Sequence, residues 1–277
     1  MPLGPLHSKS MHPFDESIRL ASKGEHRYTG TTHPGYANMV GPFGGTLGAV
    51  LLNAALLHPQ RLGDPVVLTV NFAGPVADGD FEVEALPMRT NRSTQHWNLA
   101  LRQGGEVAVT GSAVFATRRE MWSAHEAEPP QGMPPAAALP RMPTAGIAAW
   151  VDRYDMRFEG GAPFRFDGQE AADSHSRAWV RDHPPRPLDF ASLAAICDSF
   201  FPRVFVRRNQ RSPIGTVSLS SYFHADAADV AAQGERHLLG TARALRFHAG
   251  FFDQSAQLWS DDGQLLASTH QMVYYRA

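Results

Sequence analysis

The stretch DFASLAAICDSFFPRVFVRRNQRSPIGTVSLSSYFH, residues 189–224, decides the fold. It opens on an apolar run of helix length over 189–201, with Asp189 as its expected N-cap, and from Thr216 it changes to the alternating pattern of a strand. A single acid, Asp198, stands inside the apolar run. Burying an unpaired carboxylate costs several kcal/mol, on the order of the whole stability margin of a small domain, so this residue needs partners or a role.

Outward from this stretch, the chain reads as two copies of one unit. In the first half, residues 41–59, GPFGGTLGAVLLNAALLHP, predict a helix entered through Gly44 and Gly45 and stopped by Pro59. It is apolar almost all round, so other elements must wrap it. Strand-length segments follow at 65–74, 80–88, 95–102 and 106–116, read as a four-strand antiparallel meander closing on the helix. In the second half, strand-like segments at 150–158 and 176–181 precede the 189–201 helix, and 215–224, 238–248, 255–260 and 264–276 follow it. LTVNFAGP (68–75) matches LSSYFHAD (219–226), and LALRQGGEVAVTGSAVFA (99–116) matches QLWSDDGQLLASTHQMVY (257–274). Between the copies, residues 119–143 carry six prolines in 25 residues and no periodicity, the composition of an extended linker. The expected division is a flexible arm over 1–16, a first domain over 17–117, a linker over 118–145 and a second domain over 146–277. The fold class is α+β, two tandem units, each a central helix wrapped by an antiparallel sheet.

Composition limits the partners. The 277 residues are 43% apolar, enough for a sizeable core, and 25 basic against 27 acidic residues give a formal charge of -2, with no field to gather nucleic acid or an anionic membrane. The single cysteine, Cys197, excludes an intramolecular disulfide and any multi-cysteine metal site within the chain, and fits a cytoplasmic location. The first 17 residues lack the apolar core of a signal peptide, and the longest apolar run, 47–57, is too short to cross a bilayer. The 13 histidines include no H-x-x-x-H pair on a predicted helix, so no metal is expected. No G-x-S-x-G elbow surrounds Ser218, Ser220 or Ser221, which argues against a serine hydrolase. Cys197, a lone thiol on an apolar helix, reads as core rather than nucleophile.

The segments GGTLGAVLLNAAL, ICDSF, IGTVSLSSYFH and DGQLLASTHQ resemble the two halves of the acyl-CoA thioesterase II family of double hot-dog enzymes. The resemblance implies the double hot-dog fold and hydrolysis of acyl-CoA, with coenzyme A as part of the substrate and no separate cofactor. It also implies a role in lipid metabolism and a homodimer or larger homo-oligomer. In that family an Asp on the second helix, a Thr or Ser on the next strand and a Gln on the last strand hold the attacking water; these fall on Asp198, Thr216 and Gln271. Many members carry Asp-His after the strand residue, where this chain has Ser218-Leu219.

The chemistry suits the residues. A carboxylate can take a proton from water, while a hydroxyl and an amide fix the direction of its lone pair. Backbone N–H groups at Gly44 and Gly45 are the expected donors to the oxyanion or thioester carbonyl. Thr216 is the weak point in this reading, because strict alternation puts it on the face opposite Val217, Leu219 and Phe223, and only a bulge or a strand-end position would turn it toward Asp198. In the first copy the positions matching Asp198 and Gln271 are Leu52 or Asn53 and Ala113, so one site per chain is expected. The alternatives are a non-catalytic acyl-CoA-binding protein and a hot-dog enoyl-CoA hydratase; the latter needs a histidine in the first turns of a central helix, and neither helix has one.

Overall fold

A computed structural model describes residues 11–163 and 169–276. The first half contains α1 (Pro13–Ser17), β1 (Ala21–Ser22), β2 (Arg27–Thr31), α2 (Gly44–Leu56), β3 (Asp64–Phe72), β4 (Asp80–Thr90), β5 (Thr94–Gln103) and β6 (Glu106–Ala116). The second contains β7 (Tyr154–Gly160), β8 (Ser176–Asp182), α3 (Phe190–Ile196), α4 (Arg203–Arg207), β9 (Ile214–Phe223), α5 (Ala227–Gln233), β10 (Leu238–Arg243), β11 (Phe247–His248), β12 (Phe251–Trp259) and β13 (Leu265–Tyr275).

The strands form one 13-stranded antiparallel sheet in the order β1-β2-β4-β5-β6-β3-β9-β13-β12-β10-β8-β7, with β11 beside β12. The two halves meet at β3 and β9, where Val67 lies opposite Tyr222 and Asn71 opposite Ser218. At the centre of this seam Thr69 and Ser220 share a hydroxyl hydrogen bond of 2.9 Å across 151 residues of chain. These two are equivalent positions in the repeated segments, so the seam is a pseudo-two-fold axis of the duplicated unit. The equivalence extends along the neighbouring strands: Leu68 faces Ala113 as Leu219 faces Gln271. This is the double hot-dog fold.

Three sequence expectations are corrected. β3 does not open a four-strand meander; it pairs with β6 and not with β4, which frees its other edge for β9. The 189–201 helix stops at Ile196, because Asp198 and Ser199 donate to the carbonyls three residues back, at 3.1 and 2.9 Å, and Pro202 disfavours a helical Phe201. Asp198 is therefore in the turn after the helix rather than inside it. The arm expected to be loose over 1–16 is docked from Pro13: Phe14 is fully buried, its ring edge-on to Tyr36, and Asp15 pairs with Arg186 at 2.8 Å. Residues 1–10 lie outside the described residues.

The proline-rich stretch does more than span the surface. Met133, Ala136 and Leu139 pack on buried Trp179, Leu239 and Trp259, and the Trp179 indole donates to Pro134 O at 2.8 Å. On the other side of the sheet, α2 and α3 pack together inside one core that runs through both halves. Their approach depends on Gly45, where a Cβ would lie 2.6 Å from Ala195 O and 2.5 Å from the Phe43 ring. Gly45→Ala should therefore lower the unfolding free energy by about 1–3 kcal/mol in a denaturant titration, as overpacking of a rigid contact does. An unchanged midpoint would show that the helices can separate freely.

Candidate active site

Three elements bring the predicted residues together. Asp198 is fixed by the turn that ends α3, Thr216 lies near the start of β9, and Gln271 lies in the middle of β13. Gln271 is 2% exposed. Thr216 reaches it because β9 carries a bulge: Ser218 faces Met272 while Thr216 faces Val273, so Val217 is the extra residue. Val217 is accordingly turned out, 40% exposed, and the alternation is reset so that Thr216 points inward. Its hydroxyl donates to Gln271 Oε1 at 3.2 Å. The other end of the amide faces the Asp198 carboxylate.

The fourth contributor comes from the first half. The N-terminus of α2 is aimed at Asp198: the Gly45 backbone N–H faces the carboxylate, and a Cβ on Gly44 would lie 2.8 Å from Asp198 Oδ2. The pair of glycines thus has two separable functions. Gly45 permits the helix contact and turns its amide toward the acid. Gly44 lines the cavity, while the next amides, Thr46 and Leu47, turn back to Phe43 O at 3.1 and 3.3 Å. Gly44 N–H is thus the helix-end donor presented to the cavity.

Asp198, Thr216 and Gln271 line a cavity of about 440 Å³ between the halves. Its apolar wall includes Phe43, Leu47, Phe72, Trp150 and Phe200. Trp150 was expected in a strand; it lies in a 3-10 turn over Ala149–Arg153, stacked on Phe43 with ring centroids 4.2 Å apart, and its indole donates to Asn38 Oδ1 at 3.2 Å. Gln254, also in the cavity wall and directly across from Gln271, escaped the sequence reading, although the 99–116 and 257–274 match already implied the hairpin that places it there.

Burial pushes the Asp198 carboxyl up to about 7, while the Gln271 side chain and the Gly45 N–H pull the other way by favouring its charged form. The neighbouring Cys197 is fully buried and its thiol is pushed up to about 12, chiefly by burial, which leaves almost no thiolate near neutrality. Among the described residues no group of three or more His, Cys, Asp or Glu side chains could hold a metal ion, and no helix is long and apolar enough to cross a membrane.

The chain is thus a double hot-dog protein in which a carboxylate, a hydroxyl and an amide converge at a cleft between the two units. Residues 33–116 match the acyl-CoA thioesterase N-terminal domain and residues 125–275 the acyl-CoA thioesterase C-terminal domain, and the chain belongs to this family. It is 48% identical to a conserved protein of unknown function with the hot-dog fold from Alicyclobacillus acidocaldarius, with a TM-score of 0.92 over 96% of this chain and 99% of that one. An acyl-CoA thioesterase II from Mycobacterium marinum shares the fold at 18% identity, with a TM-score of 0.76 over 95% of this chain and 98% of that one. A search of curated proteins returns no match.

The raised carboxyl has a stability signature. In the unfolded chain the group ionises near 3.8, and in the folded protein near 7, so stability present at low pH is lost as pH rises toward 7. Asp198→Asn, which cannot ionise, should gain on wild type by about 2–3 kcal/mol between pH 5 and pH 8 in paired denaturant titrations. A difference independent of pH would mean that Asp198 titrates as an ordinary surface acid.

Proposed function

We propose that the protein hydrolyses acyl-CoA thioesters to a free acid and coenzyme A by direct attack of water. The observation that carries this reading is the convergence of Asp198, Thr216 and Gln271 at one cavity wall, where Thr216 donates to Gln271 and Gln271 faces Asp198. Family membership supports the thioesterase class. The substrate and the residue roles are our inference.

In this reaction water sits against Asp198, oriented by the Thr216 hydroxyl and the Gln271 amide. Asp198 takes a proton as the water oxygen bonds to the thioester carbon. Negative charge gathers on the carbonyl oxygen, for which Gly44 N–H at the positive end of α2 is a donor. The C–S bond then breaks, and the thiolate leaves with the proton that Asp198 holds. The acyl group occupies the apolar wall of Phe43, Phe72 and Trp150. No enzyme nucleophile is required, in keeping with the inert Cys197 thiol.

A base that ionises near 7 is matched to work at neutral pH. Free-thiol release from a panel of acyl-CoAs should be measurable for wild type and fall by about 10²–10⁴-fold in Asp198→Asn. Equal rates in the two proteins would overturn the assignment, and cleavage of no acyl-CoA by wild type would favour a binding protein.

The wild-type rate should also depend on pH in a defined direction. Asp198 acts deprotonated, so kcat/KM should rise as pH increases through about 7 and level off above it. A flat profile across that range would remove Asp198 as the base.

A further inference from the structure

Arg203 is a fully buried cation. It is 0% exposed, burial pulls its guanidinium down to about 9, and among the described residues no carboxylate pairs with it. Its donors are satisfied by neutral oxygens instead. Nε donates to Phe201 O at 2.9 Å and to Gln254 Oε1 at 3.1 Å, and Nη1 donates to Ser174 O at 3.0 Å, Ser176 Oγ at 2.7 Å and Ala242 O at 3.4 Å. Nη2 also donates to Phe201 O. So costly an arrangement fixes whatever it holds.

One thing it holds is the Gln254 amide. Arg203 has only donors, so Gln254 must turn its oxygen to it, and Gln254 Nε2 then donates to Phe200 O at 3.2 Å. Both neighbours demand the same orientation, so the amide cannot flip without breaking both bonds. An amide nitrogen carries two hydrogens, and Phe200 takes one. Gln254 is 1% exposed, lines the Asp198 cavity, and stands directly across from Gln271 on the adjacent strand, on the same face of the sheet.

We propose that the second Nε2–H of Gln254 donates to the carbonyl oxygen of the bound thioester and to the oxyanion that forms there, with Arg203 as the positioning residue that locks the amide. This rests on the thioesterase reading above. It gives the oxyanion a side-chain donor from the second half to complement Gly44 N–H from the first. In the step itself the carbonyl π electrons move to oxygen as water attacks, and Gln254 stabilises that charge without transferring a proton.

Two variants and one spectroscopic signature test it. Gln254→Leu removes the donor, and Gln254→Glu removes it while keeping an acceptor for Arg203, so the second variant protects against a folding failure in the first. Each should lower kcat by about 10²-fold with KM changed much less. In Asp198→Asn loaded with the acyl-CoA that wild type cleaves fastest, the infrared C=O stretch should lie below that of the free thioester. Adding either Gln254 substitution should move it back up, a shift that loosened packing alone would not produce. If wild type cleaves no acyl-CoA, the thioesterase reading fails and this inference with it. If wild type cleaves one, but the bound carbonyl is unshifted or either folded Gln254 variant keeps kcat within about threefold, Gln254 is not the donor and the thioesterase reading stands.

Discussion

The contact between the Asp198 carboxylate and the glycine start of α2 is the constraint from which the rest of the site follows. It joins the two halves of the chain at a place where a carboxylate is kept in a buried setting. Burial alone would drive Asp198 toward permanent protonation; a full set of donors would return it to the ordinary carboxylate range. Gln271 and the Gly45 N–H oppose burial only in part, and the balance leaves the group near 7. This balance needs both halves, because one donor comes from β13 and the other from α2. The glycines are required for the same reason: at Gly45 the helices meet backbone to backbone, with Ala195 O where a Cβ would stand, and at Gly44 any side chain would press on Asp198 Oδ2.

The duplication explains how the fold is legible and how the site is not. The repeat matches in the sequence already contain the β3–β9 pseudo-symmetry, since Thr69 and Ser220 fall at equivalent positions and the structure joins them. Asp198 is legible as the single acid in an apolar run and Gln271 through the family resemblance, and the first copy carries no acid at the matching positions. Thr216 could not be oriented by pattern: a bulge is one extra residue, and the alternation of apolar positions does not reveal where it falls. Yet the same bulge occurs at Val66 in the first copy, between Pro65 opposite Phe115 and Val67 opposite Val114. It is a property of the repeated unit, carried in both halves, and only one half uses it to turn a hydroxyl inward.

Other parts were illegible for different reasons. The end of α3 depends on Pro202 and on local carbonyl choice, while the apolar run continues past it to Phe201, so hydrophobicity alone overextends the helix. β3 beside β6 rather than β4 is a long-range pairing that no local signal distinguishes from a meander. Trp150 looks like strand material by composition, but its place is set by stacking on Phe43 from the other half. The last two misses involve partners distant in sequence, while the first is a local choice that hydrophobic pattern does not record.

The polar cluster of the second half has no copy at its pseudo-symmetric counterpart in the first. There the Asp198 position is Leu52 or Asn53, the Thr216 position is Pro65 and the Gln271 position is Ala113, so neither a hydroxyl nor a carboxylate remains. Asn53 donates to Ile18 O at 2.9 Å, and Ile18 follows directly on α1, whose Phe14 is fully buried. The N-terminal segment therefore closes the first half where the second half is open. The asymmetry is physical as well as chemical: a polar residue at the counterpart position is held by backbone from outside the repeat. Restoring an acid at Asn53 would place a carboxylate against a carbonyl oxygen that can only accept, which opposes charge there, whereas Asp198 faces donors. Absence of an acid from the first half and docking of the N-terminal helix there are thus parts of one arrangement, and the cavity lies by Asp198 of the second half.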